Sequence, residues 1–262
     1  MKIIASRENP DFRFLQRAQS GKRAPGERGD SPFFVALEGP HLCESWLAGM
    51  GQPELAFVDE SRMGHEEIAR ILSGVEKGRI RVCTPALMKA ASQVVHGQGI
   101  IFLCLAPLKT PPPRIRSNCL WLDRVQDPGN MGTLLRTAAA AGVDQVFTSA
   151  GCVGAWSPKV LRSAQGAHFA LTIHEGVNLS ELRAQLDIPM IVTALEDATP
   201  LYDAALPRDC AWVFGNEGRG VDPSLIESAD LRVMIPQSAE VESLNVGVAA
   251  GICLFEQRRR HQ

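Results

Sequence analysis

The chain has 262 residues, enough for one large domain or two ordinary ones, with 45% hydrophobic and 21% charged residues and therefore a core of normal size. That composition excludes a disordered chain, a collagen-like fibre and a coiled coil. Lys and Arg total 27 against 29 Asp and Glu, so a net charge of −2 singles out no partner.

Local charge is more informative. Residues 1–28 carry Lys2, Arg7, Arg13, Arg17, Lys22, Arg23 and Arg28 against Glu8, Asp11 and Glu27, and Arg258, Arg259 and Arg260 form a second basic cluster. Such clusters are solvated ends unless an active site lies beside them, in which case they are footprints for nucleic acid. Beyond the first cluster, the apolar runs 32–39 (PFFVALEG), 55–59, 80–83 and 99–106 (GIIFLCLA) predict strands, and 41–50, 65–75 and 85–93 predict the short helices between them. Alternation of this kind describes a small α/β sandwich. The stretch 107–114 (PLKTPPPR) ends it, because consecutive prolines continue neither a helix nor a central strand. This divides the chain into a domain over 1–107, a Pro-rich linker over 108–116 and a second domain over 117–262.

The second domain opens with a strand over 119–125 and a turn over 126–130. An Ala- and Leu-rich helix follows over 131–141, closed by Gly142, and then a strand over 145–149. Further strands are predicted at 168–173, 190–195, 210–215 and 231–235, with helices at 157–164, 179–186 and 223–229 and a last helix over 244–258. The pattern is that of a parallel sheet with helices on both faces. The seven cysteines, at 43, 83, 104, 119, 152, 210 and 253, form no C-x-x-C pair, and the histidines are dispersed. We expect reduced thiols, no metal site and a cytoplasmic location. Arg7 and Glu8 come too early for a signal peptide, and no apolar run approaches the roughly 18 residues that span a bilayer, so no membrane partner is expected.

Three polar clusters interrupt the second domain, each where a strand ends, which is where open parallel sheets bind ligands. The first is 127–137 (DPGNMGTLLRT). Asn130 suits a helix N-cap, whose freed N–H groups attract an anion, and Arg136 lies six residues on. On the plainer alternative Asn130 is only a cap and Arg136 a surface ion-pair partner. The second is 215–220 (GNEGRG), where three glycines permit close backbone approach to a ligand. It matches neither the dinucleotide fingerprint nor a phosphate loop, which disfavours a nucleotide-dependent oxidoreductase. The third runs from 236–238 (PQS) through 241–247 (VESLNVG). Ser243 suits the cap of the apolar helix that follows, and Asn245, in its first turn, needs polar partners. Each cluster alone has a dull explanation; all three together do not.

The strings DPGNMGTLLRTA, FGNEGRG and IPQSAEVESLNVGVAAGICLFE resemble the three motifs of the SpoU (TrmH-like) branch of SPOUT RNA methyltransferases, in the family's order and over about 117–258. The segment 35–42 (VALEGPHL) is similar to a signature of that family's N-terminal RNA-binding α/β domain. The resemblance implies an enzyme that moves a methyl group from S-adenosylmethionine to a ribose 2′-hydroxyl, in ribosomal RNA before transfer RNA. It implies catalytic roles for Asn130, Arg136, Glu217, Ser243 and Asn245. It also implies a cofactor pocket of Thr193, Ala194, Leu195, Gly215, Asn216, Gly220, Ile235 and Leu244, and an RNA-side stretch at 162–167 (RSAQGA). Gly247 stands where the family often carries a small hydroxyl or alanine. A deep C-terminal trefoil knot and a homodimer with sites near the interface are implied too, against the general rule that chains do not knot.

In-line methyl transfer needs positioning and a more nucleophilic hydroxyl oxygen. A guanidinium stays protonated, so Arg136 is expected to clamp a phosphate and stabilise developing charge rather than take a proton. Glu217 and Asn245 are expected to orient the reacting groups. The competing expectations are a tRNA 2′-O-methyltransferase, a base-methylating relative and a non-catalytic RNA-binding protein that keeps the fold.

Overall fold

The computed structural model describes residues 1–21, 33–94, 97–238, 240 and 243–262. Lys22, Arg23, Glu27 and Arg28 of the first basic cluster, and Val241 and Glu242 of the third motif, lie outside the described residues. The chain divides into two compact units, Met1–Pro107 with Trp156–Leu161, and Leu108–Ala155 with Arg162–Gln262.

The first unit contains β1 (Lys2–Ile4), α1 (Pro10–Gln19), β2 (Phe34–Glu38), α2 (Pro40–Gly49), β3 (Leu55–Asp59), α3 (Glu66–Ser73), β4 (Ile80–Cys83), α4 (Pro85–Ala91) and β5 (Ile100–Leu105). Its sheet runs β1-β4-β3-β5-β2, with β1 and β3 parallel to β4 and β5 antiparallel to β3 and β2. The basic N-terminal segment is not a loose end. Asn9 accepts from the N–H of Asp11 and Pro10 supplies the first-turn φ, so α1 starts there and buries Phe12 and Leu15 completely. The apolar spacing of Phe12, Leu15 and Ala18 is helical despite the density of charge around it. Arg13 pairs with Glu8, and Asp11 holds Lys2 and Arg81.

The remaining elements are β6 (Cys119–Leu122), α5 (Pro128–Ala141), β7 (Gln145–Ser149), α6 (Pro158–Ala164), β8 (Thr172–Val177), α7 (Leu179–Leu182), β9 (Met190–Thr193), β10 (Thr199–Pro200), β11 (Ala211–Phe214), α8 (Pro223–Glu227), β12 (Leu231–Met234) and α9 (Val246–Arg260), all in the second unit except that the Pro158–Leu161 part of α6 is counted with the first. Seven strands form one sheet in the order β10-β12-β9-β11-β6-β7-β8, every neighbouring pair parallel. The central strands read CLWL, MIVT and AWVF because a sheet covered on both faces needs continuous rather than alternating apolar residues. The strand expected at 168–173 starts later: residues Ala167–Ala170 form a 3₁₀ turn, and His168 is buried with Nε2 on the Ala155 carbonyl at 2.7 Å. The Pro-rich stretch also ends differently. Ile115 is fully buried, exchanges backbone hydrogen bonds with Gln185 and Asp187, and is flanked by Arg114 and Arg116, both paired with Asp187.

The last helix is anchored by polar as well as apolar contacts. Gln257 is buried, accepts from the Trp212 indole at 2.8 Å and donates to the Asn118 side chain and the carbonyls of Pro207 and Arg208. The C-terminal arginines are largely used in the same way. Arg258 donates to the Ala140 carbonyl at the end of α5, and Arg260 donates to the carbonyls of Leu201, Tyr202 and Ala204. Both Arg259 and Arg260 hold Glu256, whose carboxyl is pulled down to about 2 by their hydrogen bonds.

Candidate active site

In a parallel sheet all strands leave by the same edge, so the order β12-β9-β11-β6 brings four consecutive strand-end loops together. They surround a cleft of about 830 Å³. Asn130 at the start of α5, Thr193 at the end of β9 with Ala194 and Leu195 after it, Gly215, Asn216, Glu217 and Gly220 after β11, and Ile235, Ser243, Leu244 and Asn245 after β12 all line it. Arg136 does not. It is exposed two turns into α5 and its side chain makes no hydrogen bond or ion pair among the described residues.

The loop after β6 is built around two residues that charge and spacing did not single out. Arg124 adopts a left-handed φ of 56°, donates its N–H to Ser149 Oγ, and sets its guanidinium between Asp123 and Asp222. Asp127, not Asn130, caps α5: its carboxylate accepts the Asn130 N–H at 2.8 Å, and Pro128 fills the first helical position. The signal was present in the Asp-Pro pair, since proline favours the position directly after the cap.

Asn130 is thereby freed for other partners. Its Oδ1 accepts from Asn245 Nδ2 at 2.8 Å and its Nδ2 donates to Glu217 Oε1 at 3.0 Å. Glu217 also accepts the backbone N–H groups of Asp127 and Gln126 at 3.2 and 3.4 Å. Burial works against the charged carboxylate, but the Asn130 amide and these N–H donors outweigh it, so Glu217 lies below the usual glutamate range. Asn245 in turn caps α9, its Oδ1 accepting from the N–H groups of Gly247 and Val248 at 2.9 and 3.3 Å. The assignment of that cap to Ser243 is corrected: Ser243 is exposed on the cleft wall. A single run of amides and a carboxylate, Asn245–Asn130–Glu217, therefore ties three loops together.

The loop after β11 is closed by Asn216. Its backbone exchanges both hydrogen bonds with Gly220, its Oδ1 accepts from the N–H groups of Gly218 and Arg219 at 3.0 Å each, and its Nδ2 donates to the Arg124 carbonyl at 2.8 Å. Gly220 has φ +68°, and a Cβ on Gly215 would lie 2.1 Å from the Gly220 carbonyl carbon. Backbone meets backbone there, so only glycine fits. Gly247 is a second close approach: a Cβ would come within 2.8 Å of Thr133 Cγ2, where α9 packs on α5. Arg219 and Gln237, which lie within the second and third clusters, also line the cleft, as do Glu196, Asp197 and Arg232, which had no distinguishing sequence pattern.

The family model described as SpoU rRNA Methylase matches residues 117–255. The chain is 34% identical to the 23S rRNA (guanosine(2553)-2′-O)-methyltransferase RlmP of Bacillus subtilis, covering 98% of this chain and 100% of that protein. It is also 34% identical to the tRNA/rRNA methyltransferase slr1673 of Synechocystis, over 98% of this chain and 93% of that one. The AdoMet-bound structure of an rRNA methyltransferase from Sinorhizobium meliloti superposes with a TM-score of 0.83 at 23% identity, covering 100% and 98% of the two chains.

Proposed function

The chain belongs to the SpoU rRNA methylase family, and from that membership we propose that it transfers a methyl group from S-adenosylmethionine to a ribose 2′-hydroxyl of ribosomal RNA. The observation that carries the proposal is the Asn245–Asn130–Glu217 run, which places polar side chains from all three motifs at one cleft. The cleft also suits the cofactor: about 830 Å³ lies inside the usual range for small-molecule sites, roughly 300–1,000 Å³. Bare backbone at Gly215 and Gly220 and apolar walls at Ala194, Ile235 and Leu244 are the surface a nucleoside needs, with Thr193, Leu195 and Asn216 completing it. When bound, the cofactor supplies an electrophilic methyl group. The remaining work belongs to the chain.

Glu217 is a poor proton acceptor at neutral pH, because it is held charged by its donors; its role is to orient. Asn130 passes that orientation to Asn245, and Ser243 presents a hydroxyl on the same wall. Arg136 clamps the phosphate beside the reacting ribose and offsets developing negative charge. Since it lies outside the cleft of its own chain, the proposal includes a homodimer in which Arg136 serves the site of the partner subunit. The exposed apolar residues Val248 and Phe255 on α9, the helix packed against α5, support such an interface. The return of the chain after β12 to pack α9 on α5 supports the C-terminal knot. The first unit is assigned RNA binding, with Arg7 and Arg17 exposed on its surface. No helix among the described residues is long and apolar enough to cross a membrane, and we place the reaction in the cytoplasm.

The test is transfer of a labelled methyl group from S-adenosylmethionine to unmodified ribosomal and transfer RNA pools, comparing wild type with Arg136→Ala. We expect label on ribosomal RNA, at a nucleotide that resists alkaline cleavage, and loss of label in the variant. Label confined to transfer RNA, or none on either pool, would overturn the proposal.

A further inference from the structure

The cleft has a charge problem that its assigned residues do not solve. Glu196, Asp197 and Glu217 all line it, and the proposed substrate is a polyanion. Two arginines share the wall. Arg232 is half-buried and tethered through Nε to the Ile226 carbonyl at 3.1 Å. Arg219 is exposed, and its side chain makes no hydrogen bond or ion pair among the described residues. Its backbone is fixed nonetheless, because its N–H is held by Asn216 Oδ1 and the flanking Gly220 exchanges both backbone hydrogen bonds with Asn216. Glu217, two residues back, does not neutralise it: those carboxylate oxygens are taken by Asn130, Asp127 and Gln126.

A guanidinium on a rigid loop, without a protein partner, fits an oxyanion. Two oxyanions reach this wall, a substrate phosphate and the cofactor's carboxylate. We propose that Arg219 binds a phosphate of the substrate RNA and positions the strand over the cleft, offsetting the three carboxylates there. This rests on the RNA methyltransferase function proposed above. The phosphate is favoured because an exposed guanidinium gains little from a small solvated ion, whereas an RNA strand laid over the loop displaces water and releases counterions.

The experiment compares wild type, Arg219→Ala and Arg219→Lys. An in vitro transcript of 23S ribosomal RNA is bound across a series of salt concentrations, S-adenosylmethionine is titrated separately, and steady-state methyl transfer is measured. For Arg219→Ala we expect RNA affinity to fall about tenfold. The slope of log affinity against log salt should shrink by roughly 0.7–0.9, the contribution of one phosphate contact. KM for RNA should rise while cofactor affinity stays within about twofold of wild type. Arg219→Lys should keep the salt slope and recover only part of the affinity, since it retains the charge and loses the planar fork. An unchanged RNA affinity and salt slope in Arg219→Ala would overturn the inference while leaving the proposed function intact. So would weaker cofactor binding with the salt slope preserved, which would give Arg219 to the cofactor's carboxylate. A wild-type protein that transfers no methyl group would overturn the proposed function and this inference with it.

Discussion

Replacing Asn130 with alanine cuts the run that joins the three loops at its middle. The side chain accepts from Asn245 at 2.8 Å and donates to Glu217 at 3.0 Å, so both bonds vanish together. A neutral hydrogen bond contributes about 0.5–1.5 kcal/mol net, and one to a charged group about 1.5–3 kcal/mol. Both partners are solvent-accessible and water replaces part of each bond, so the lower ends apply, about 2 kcal/mol in all. Little of this should reach global stability. Glu217 keeps the Gln126 and Asp127 N–H donors, and Asn245 keeps its place as the cap of α9. We expect a Tm lower by no more than about 3 °C. What is lost is alignment, and 2 kcal/mol of misplaced transition-state contact lowers the rate roughly 30-fold. Single-turnover methyl transfer at saturating cofactor and RNA measures it, in a double-mutant cycle with Glu217→Gln. Because both substitutions break one run, the double variant should be within about threefold of the worse single variant. Additive losses, or an Asn130→Ala protein within about threefold of wild type, would refute the relay.

Two glycines and two titratable groups give further tests. Gly215→Ala puts a Cβ 2.1 Å from the Gly220 carbonyl carbon, a backbone atom with no room to retreat, so the loop must open. Calorimetry should show cofactor affinity down by at least about tenfold, and an unaltered affinity would deny the close approach. Gly247→Ala meets Thr133 Cγ2 at 2.8 Å and should cost about 1–2 kcal/mol in chemical unfolding. Thr133→Ser, which deletes that methyl, should recover most of the loss, and strict additivity of the two would refute the contact. Acid should weaken the fold in two successive windows that overlap slightly near pH 4. Burial lowers His168 from 6.5 to about 4, so the unfolded chain takes up the proton first and His168 costs stability as pH falls through that interval. Glu256, lowered from 4.5 to about 2 by Arg259 and Arg260, contributes stability that is full above 4.5 and lost as pH falls toward 2. Thermal unfolding across pH should lose the first window in His168→Gln and the second in Glu256→Gln; one unchanged profile refutes that assignment.

The sequence made the chemistry of the site legible but not its caps. Asn130 stands out as a residue suited to an N-cap and Asn245 as one that sits poorly inside a helix, and both do make polar contacts of consequence. The helix starts differ from the sequence pattern in opposite directions: α5 begins three residues earlier than expected, at Pro128, and α9 two residues later, at Val246. A cap is decided by which side chain reaches the free N–H groups. Asp127 wins because proline follows it, and Asn245 wins because it bonds two N–H groups at once. The N-terminal unit shows the reverse error, where a charge count over residues 1–28 concealed a helix that buries Phe12 and Leu15.

Convergence of the three motifs could not be read from residue patterns, since it depends on strand order. Residues 130, 217 and 245 are far apart along the chain and meet because β6, β11, β9 and β12 are neighbours and run parallel. No local signal encodes that order; burial of CLWL, MIVT and AWVF on both faces says only that these strands are central. The same logic separates the basic residues. Arg258 and Arg260 spend their donors on the carbonyls of Ala140, Leu201, Tyr202 and Ala204, which makes them fastenings of α9 rather than a surface for nucleic acid. The side chains of Arg136 and Arg219 make no such bonds among the described residues and stand on two elements, α5 and the loop after β11, that contribute residues to the site. A cation that the fold leaves without a partner is the one with free energy to gain from an anionic substrate, and on that criterion Arg136 and Arg219 suit the proposed RNA contact better than the conspicuous triplet at the C-terminus.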